Sequence, residues 1–240
     1  MVTKNQIKFI KGLSTKKNRI KFKKIVVEGE KIIKEFIKSD YELETVYSYN
    51  LQKFSEYKPE LITKNQLKSI SNLKTSNGDL AVFNVSSKKI KNKNFYIVLD
   101  GINDPGNLGT ILRTCEWFGI KQIICSKNSV DCFNPKVIQA SMGSLSRVDV
   151  FYRDLIQFID SKGLEVFGAD IKGESVNTFK SQNEGIWVFG SESHGISEDV
   201  RKKIKKFVQV PKFNQDIKTE SLNLSVSLGI ILSRLRINKS

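Results

Sequence analysis

Histidine, cysteine and proline are scarce in this chain of 240 residues, which contains one, three and four of them. The cysteines, at positions 115, 125 and 132, form no CxxC pair. With a single histidine, they support neither a disulfide framework nor a Cys/His zinc site, so we expect no metal. His194 could in principle act as a catalytic base, but its glycine-flanked loop favours a ligand-binding role.

Long apolar runs are missing as well. No run approaches the roughly 18 residues that a membrane-spanning helix needs, and the N-terminus lacks the apolar segment of a signal peptide. We therefore expect a cytoplasmic protein with no membrane partner. The hydrophobic content of 39% is nevertheless sufficient for one large or two ordinary domain cores.

Acidic residues are outnumbered by basic ones, 25 against 40, which gives a formal net charge of +15. The imbalance is steepest at the N-terminus, where residues 1–27 contain nine Lys or Arg and no Asp or Glu. A basic segment of this kind favours a nucleic-acid partner that carries phosphates. A charged surface that only aids solubility is the alternative.

The apolar pattern divides the chain into two domains. Residues 1–88 predict a small α/β domain that opens with a short helix and a Lys-rich loop, 89–94 predict a linker, and 95–240 predict alternating strands and helices. Such alternation is typical of a mainly parallel sheet with helices on both faces. The predicted strands of the second domain are 95–99, 121–125, 148–151, 164–169, 186–190 and 207–210, and its predicted helices are 108–118, 135–144, 153–161, 197–205 and 221–237.

Polar side chains follow the first strand of the second domain. Residues 100–106 have turn chemistry, and Asn107 is a good N-cap for the helix that follows. Arg113 lies off the apolar stripe of this helix. Its guanidinium can therefore project beyond the carboxyl end of the strand, where ligands bind in open α/β sheets.

Two later segments have a similar strand, loop and helix pattern. In the first, Gly190 would let a ligand approach the backbone closely, and Glu192 follows it. In the second, a C-terminal helix that is apolar on more than one face, and therefore buried, begins near Ser221. Ser221 and Asn223 stand beside its free N–H groups, although Ser221 or Thr219 could simply cap the helix. A single strand–loop–helix pattern of this type is weak evidence for a site. No GxGxxG motif follows the first strand, which disfavours a Rossmann oxidoreductase.

As a set, the motifs DPGNLGTILRTC, FGSESHGIS and ESLNLSVSLGI resemble those of the SpoU (TrmH) family of SPOUT methyltransferases. This family transfers a methyl group from S-adenosylmethionine to a ribose 2′-hydroxyl in RNA. The likeness covers residues 95–240. Residues 1–85, chiefly through IVVEGEKIIKEF, resemble more faintly the family's ribosomal-protein-like, RNA substrate-binding domain.

The resemblance implies a fold, partners and roles that the residue pattern alone does not. It implies a C-terminal trefoil knot, a homodimer formed through the knotted domain with sites built from both subunits, and an RNA substrate, with ribosomal RNA favoured over tRNA. It makes Arg113 the catalytic residue, with Asn107 and Glu192 orienting it or the substrate. A guanidinium only donates hydrogen bonds, so we expect Arg113 to bind a phosphate and stabilise charge on the 2′-oxygen rather than act as a base.

The resemblance also locates the cofactor. It implies that Gly190, Val210 and Leu222 hold S-adenosylmethionine mainly through backbone groups, and that Ser221 and Asn223 fix the geometry of the loop and the substrate. Without the resemblance, Val210 and Leu222 would be interpreted as core residues. Residues 212–220 depart from the family, because they form a longer connection that has no glycine. That loop favours the alternative function, a non-catalytic RNA-binding or ribosome-assembly protein that retains the fold.

Overall fold

The computed structural model describes residues 2–73, 78–180, 184–214 and 216–237. The chain forms two compact units. The first contains residues 1–88 together with 131–147, and the second contains 89–130 together with 148–240. Among the described helices, none is both long and apolar enough to cross a bilayer.

The first unit is built on a four-stranded sheet with the strand order β1-β4-β2-β3. Strand β4 runs antiparallel to β1 and β2, and β3 runs parallel to β2. Capping boxes begin two of the helices, at Thr3 with Gln6 and at Thr63 with Gln66. The strands are β1 Lys24–Glu28, β2 Glu42–Ser48, β3 Glu60–Leu61 and β4 Asp79–Asn84, and the helices are α1 Lys4–Gly12, α2 Lys16–Phe22, α3 Glu30–Ile37 and α4 Lys64–Ile70.

Two predictions for this unit are wrong. The Lys-rich stretch after α1, predicted to be a loop, is the helix α2, because Thr15 caps it and Arg19 anchors it. The predicted helix 135–144 is shorter, since α6 (Pro135–Ala140) ends before two left-handed residues, Met142 and Gly143. A 3₁₀ turn follows at Ser144–Ser146. The segment that contains α6 belongs to the first unit rather than to the second.

The second unit contains a six-stranded sheet with the order β10-β8-β9-β5-β6-β7, in which every neighbouring pair is parallel. This confirms the predicted α/β fold with a mainly parallel sheet. The strands are β5 Phe95–Asp100, β6 Gln122–Ser126, β7 Asp149–Arg153, β8 Val166–Ser175, β9 Gly185–Gly190 and β10 Lys206–Gln209, and the helices are α5 Pro105–Trp117, α7 Leu155–Asp160, α8 Glu198–Arg201 and α9 Leu224–Ile237.

The central strands of this sheet are buried on both faces. Every residue of the runs 96–99 and 186–189 is buried, and successive side chains of a strand point to opposite faces. Trp187 is fully buried and stacks on Phe167, with ring centroids 5.0 Å apart. Continuous apolar runs of this kind are what a parallel sheet covered on both sides requires.

The remaining differences from prediction lie at the edge where the strands end. Strand β8 continues to Ser175 instead of stopping at 169, and α8 spans four residues instead of nine. Helix α9 begins at Leu224, three residues later than predicted. Because the strands are parallel, the loops that follow β5, β8, β9 and β10 leave the sheet from one edge.

Candidate functional site

One side-chain amide joins the three predicted motifs. Asn223 Nδ2 donates to Asn107 Oδ1 at 2.8 Å and to Glu192 Oε1 at 2.7 Å. Glu192 Oε1 also accepts a hydrogen bond from the backbone N–H of Leu224 at 3.2 Å. A carboxylate only accepts hydrogen bonds, so the amide of Asn223 must present its two donors to this side. The start of α5, the loop after β9 and the start of α9 are thereby tied together.

The oxygen of Asn223 caps α9. Its Oδ1 accepts hydrogen bonds from the backbone N–H of Ser225 at 3.0 Å and from Ser225 Oγ at 2.6 Å. The prediction that Ser221 or Thr219 begins this helix is therefore wrong, because Asn223 supplies the cap instead. The prediction of a largely buried helix is confirmed for most of its apolar positions, namely Leu224, Leu228, Ile231, Leu232 and Leu235. Val226 is 49% exposed, and Leu222, which is 45% exposed, lies before the helix begins.

Asn107 is not the cap of α5 that the sequence predicted. Asp104 caps this helix by accepting a 2.7 Å hydrogen bond from Asn107 N, and Pro105 occupies the first helical position. Both residue types are favoured at these positions, so the helix begins earlier than predicted. Asn107 consequently lies inside the first turn, and its side chain accepts from Asn223.

Gly190 is required by the chain's own backbone. A Cβ at this position would lie 2.1 Å from the carbonyl carbon of Gly195 and 2.3 Å from Ile196 N. Ser191 and Gly195 exchange two backbone hydrogen bonds, at 3.0 and 2.8 Å, which fold the loop back onto Gly190. The sequence predicted Gly190 as a place where a ligand approaches the backbone, whereas the contact seen here is made by the chain's own loop, whose tight return requires a glycine. The loop carries Glu192 to Asn223.

A cleft of about 430 Å³ lies beside this cluster. Glu192 and His194 line it, together with the buried apolar side chains of Phe189, Val208 and Ile231. Its volume and its mixture of apolar walls, peptide groups and a few polar side chains fit a nucleoside-sized ligand such as S-adenosylmethionine. The residues predicted to hold the cofactor, Gly190, Val210 and Leu222, line it as well, and so does Ser221, which was predicted to contribute to the same site.

Two charged residues of the cleft, Asp170 and Arg201, were not predicted from the sequence. Arg201 Nη1 donates to Asp170 Oδ2 at 2.5 Å, and the guanidinium lies 4.3 Å from the centroid of the Phe207 ring. Asp170 could have been found, because it follows directly on the predicted strand 164–169. Nothing in the local sequence distinguishes Arg201 from the basic residues that follow it, Lys202, Lys203 and Lys205.

Arg113 does not line the cleft and makes no hydrogen bond to the cluster of Asn107, Glu192 and Asn223. It is exposed on α5 and forms no hydrogen bond or ion pair with the described part of the chain. Asn107 and Glu192, expected to orient Arg113 or the substrate, are bonded to Asn223 and make no hydrogen bond to Arg113. His194 Nδ1 lies 2.7 Å from Ser193 Oγ.

The sequence model of the SpoU rRNA Methylase family matches residues 94–233, which is more than half of the chain. The chain belongs to this family. The model of an MRM3-like substrate binding domain matches residues 4–91.

Relatives resemble the chain along its whole length. A Bacillus subtilis 23S rRNA (guanosine(2553)-2′-O)-methyltransferase, RlmP, is 26% identical over 97% of both chains. The solved structure of a TrmH-family protein from Porphyromonas gingivalis is 31% identical over 100% of both chains, with a TM-score of 0.88. AviRb of Streptomyces viridochromogenes, a SpoU methyltransferase solved in complex with AdoMet, is 17% identical over 99% of this chain and 98% of its own, with a TM-score of 0.86, and shows the shared fold.

Proposed function

We propose that this chain transfers a methyl group from S-adenosylmethionine to a ribose 2′-hydroxyl, and that its substrate is ribosomal RNA. The observation that carries the proposal is the bonded cluster of Asn107, Glu192 and Asn223 beside a nucleoside-sized cleft. The functions of relatives support it. The Bacillus subtilis relative is a 23S rRNA 2′-O-methyltransferase, and AviRb was solved in complex with AdoMet.

The cleft is the proposed cofactor site, and backbone groups at Gly190, Val210 and Leu222 are its proposed contacts. When bound there, S-adenosylmethionine supplies an electrophilic methyl group on a sulfonium sulfur that leaves neutral. No acid is therefore needed for the leaving group. Ser221 lines the same cleft and precedes Leu222, so its proposed role is to fix the loop around the ligand.

The chain's own residues must activate the ribose. A hydroxyl is a weak nucleophile near neutral pH and has to lose its proton as it attacks. Arg113 is proposed to bind an adjacent phosphate and to stabilise the charge that develops on the 2′-oxygen. Glu192 Oε2 has no hydrogen-bond partner among the described residues and is available to accept a hydrogen bond from the substrate. Asn223 holds that carboxylate in position by donating to Glu192 Oε1, and Asn107 orients the Asn223 amide by accepting its second hydrogen bond.

The position of Arg113 supports a site completed by a second copy of the chain. Arg113 and Trp117 are one helical turn apart on the outer side of α5, and Trp117 is 83% exposed. Helix α9 lies alongside, since a Cβ on Gly229 would be 3.6 Å from the Thr114 methyl group, and Val226 is 49% exposed there. We propose that this apolar two-helix face pairs with its equivalent in a homodimer, which carries Arg113 to the partner's cleft.

Mixing two inactive variants tests this arrangement. An Arg113→Ala protomer keeps its cleft, and a Gly190→Ala protomer keeps its arginine. If each site uses the cleft of one subunit and the arginine of the other, mixed dimers contain one complete site and methyl transfer returns. If Arg113 serves its own cleft, no mixed dimer has a complete site and activity stays absent. Trp117→Lys should shift the sedimentation mass from dimer to monomer.

The first unit is the proposed RNA substrate-binding domain, with residues 89–94 as the linker to the methyltransferase domain. The match of residues 4–91 to a substrate binding domain supports this division. The trefoil knot and the cytoplasmic location remain predictions from the family resemblance and from the composition.

The function is tested with radiolabelled S-adenosylmethionine and two unmodified transcripts, 23S ribosomal RNA and tRNA. Binding of the cofactor is measured first, by calorimetry, so that a failure of transfer can be interpreted. Label in the ribosomal RNA alone is the expected result. Cofactor binding and RNA binding without transfer to either transcript would favour the ribosome-assembly role instead and would direct attention to the long 212–220 loop.

A further inference from the structure

Helix α2 presents an apolar side chain surrounded by lysines. Ile20 is 67% exposed, although it lies in an ordered helix. Lys17 precedes it by three residues and is therefore its neighbour on the helix surface, and Lys21 is the next residue along the helix. No acidic residue occurs in 1–27 to pair with them locally. The outward side of α2 is therefore apolar at its centre and positively charged around it.

A single buried arginine holds this helix in place. Arg19 is the one buried residue of α2, with 7% exposure. Its Nη1 donates to the carbonyl oxygens of Leu13 and Ser14, at 3.0 and 2.7 Å. Its Nε and Nη2 donate to Asp131 Oδ2, at 3.2 and 2.6 Å. With four hydrogen bonds fixing its inner side, α2 presents its outer side as a rigid surface.

An aromatic ring at the end of α2 is fixed but incompletely covered. Phe22 packs edge-on against Phe9, with centroids 5.1 Å apart, and Lys21 Nζ lies 5.1 Å from the centroid of the Phe22 ring. The residue is still 40% exposed. A ring that is held on one side and open on another, beside ammonium groups, is suited to contact with a nucleobase or a sugar.

The backbone at Lys23 adds a further observation. Lys23 ends α2 in the left-handed conformation, with φ 51° and ψ 43°. Glycine or asparagine is favoured at such a position, because a Cβ is strained there. The side chain of Lys23 forms no hydrogen bond or ion pair with the described residues. Lys23 therefore places an exposed positive charge, without an internal partner, directly after Phe22.

We propose that Lys17, Ile20, Lys21, Phe22 and Lys23, here named the α2 surface, bind the RNA substrate. The lysines contact phosphates, while Ile20 and Phe22 contact sugars or bases. The proposal rests on the proposed function, because it assigns that reaction's RNA to one face of the first unit. An anionic membrane would also be attracted by lysines around an apolar centre, but a ring that is fixed on one side and open on the other favours a structured partner.

The chain offers a matched pair of variants for the test. Lys58 is also exposed, also lies in the first unit and also has a left-handed backbone, with φ 47°. Lys23→Gly and Lys58→Gly each remove one positive charge and relieve the same kind of strain, so both should unfold at urea concentrations no lower than wild type. Full-length proteins are titrated against an unmodified 23S ribosomal RNA transcript over a series of salt concentrations.

Only Lys23→Gly is expected to weaken RNA binding. Its affinity should fall about fivefold at about 0.1 M salt, and the slope of log affinity against log salt should decrease by about 0.7 to 0.9. Ile20→Ala should lower the affinity without changing that slope. Equal losses in the two glycine variants, or none in Lys23→Gly, would overturn the proposal. The proposal would also be overturned if Lys23→Gly bound RNA like wild type but no longer bound vesicles of phosphatidylserine and phosphatidylcholine.

Failure of this proposal can be separated from failure of the proposed function. Cofactor binding and methyl transfer are measured on the same preparations. A wild-type protein that transfers methyl groups while the Lys23→Gly variant binds RNA normally would overturn the α2 surface alone. A wild-type protein that binds RNA through Lys23 but transfers nothing would support the surface and overturn the proposed reaction.

Discussion

The side-chain amide of Asn223 lies 2.7 Å from the carboxylate oxygen of Glu192. These residues are 31 positions apart, and each belongs to a loop at the edge where the parallel strands end. Both donors of the amide are occupied, because the second bonds Asn107. A change at Asn223 must therefore disturb the two other polar residues of the site.

Replacing Asn223 with aspartate should disable the site with little damage to the fold. The new carboxylate would replace a hydrogen-bond donor with an acceptor. Its oxygens would face the acceptor oxygens of Glu192 and Asn107, and no hydrogen bond could form between them. We expect kcat/KM to fall at least about 100-fold, since misplacement of positioning groups has effects of that order. Because Asn223 is exposed, the free energy of unfolding should fall by only about 1 kcal/mol.

The matched control is Asn214→Asp, the same change at an exposed position in the preceding loop. It should leave both quantities near their wild-type values. Steady-state methyl transfer and urea denaturation measure the two effects. Similar activity in the two variants would show that the Asn107–Asn223–Glu192 cluster has no part in the reaction.

Substitution of Gly190 should damage cofactor binding. An alanine Cβ would lie 2.1 Å from backbone atoms of Gly195, which cannot move away as the end of a flexible side chain could. The loop from Ser191 to Gly195 must shift, and with it one wall of the cleft. We expect the affinity for S-adenosylmethionine, measured by calorimetry, to fall at least tenfold, or about 1.4 kcal/mol. Wild-type affinity in Gly190→Ala would contradict the assignment of the cleft.

The buried ion pair of Arg19 and Asp131 should be important for stability. The side chains are 7% and 15% exposed, so Asp131→Asn leaves a largely buried guanidinium without its counter-charge. We expect a loss of about 3 kcal/mol in the free energy of unfolding. Asp199→Asn removes the partner of an exposed pair with Lys202, whose side chains are 79% and 73% exposed, and should cost less than about 0.5 kcal/mol. Equal urea midpoints for the two variants would contradict this difference.

Glu30 should make the stability of the first unit depend on pH in the acid range. Hydrogen bonds from Lys34 and Lys53 lower the pKa of Glu30 from 4.5 to about 2. The pairs therefore stabilise the folded state fully above pH 4.5, and this stabilisation is lost as the pH falls from there toward 2. Because these side chains are more than a third exposed, the effect should stay below about 1 kcal/mol.

The difference in free energy of unfolding between wild type and Glu30→Gln measures this effect. It should favour wild type at pH 7 and shrink by pH 3. Glu56→Gln, a change at an exposed residue of the same unit, serves as the control and should show no such trend. An advantage of wild type that grows toward low pH would contradict the sign of the effect.

Sequence periodicity was sufficient to predict most strands and helices of the second unit. The buried runs at 96–99 and 186–189 predict parallel strands, because only a sheet covered on both faces tolerates continuous apolar sequence. The starts of α5 and α9 were displaced by three residues, because Asp104 and Asn223 compete successfully with Asn107 and Ser221 as caps. Several polar residues in a row can each cap a helix, and tertiary contacts decide between them.

The missed features depend on contacts between distant parts of the chain. From the sequence, α2 is predicted to be a solvated loop, because the contact that buries Arg19 is made by Asp131, which is 112 residues away. The pairing of Asp170 with Arg201 depends on strand order, which periodicity does not reveal. The resemblance to a family supplied candidate site residues, including Asn223, but it indicated neither the hydrogen bonds by which the Asn223 amide connects Asn107 with Glu192 nor the absence of Arg113 from the lining of the cleft.

Methyl transfer to a ribose 2′-hydroxyl with the help of Arg113 is tested most directly by locating the transferred methyl group on the RNA. Unmodified 23S ribosomal RNA is labelled by wild type and by Arg113→Ala and is then hydrolysed with alkali, which cannot cleave beside a methylated 2′-oxygen. We predict that wild type leaves label in one alkali-resistant dinucleotide. Arg113→Ala should leave none while binding S-adenosylmethionine normally, because Arg113 does not line the cleft of its own chain. Label recovered in mononucleotides, or an active Arg113→Ala variant, would contradict the account.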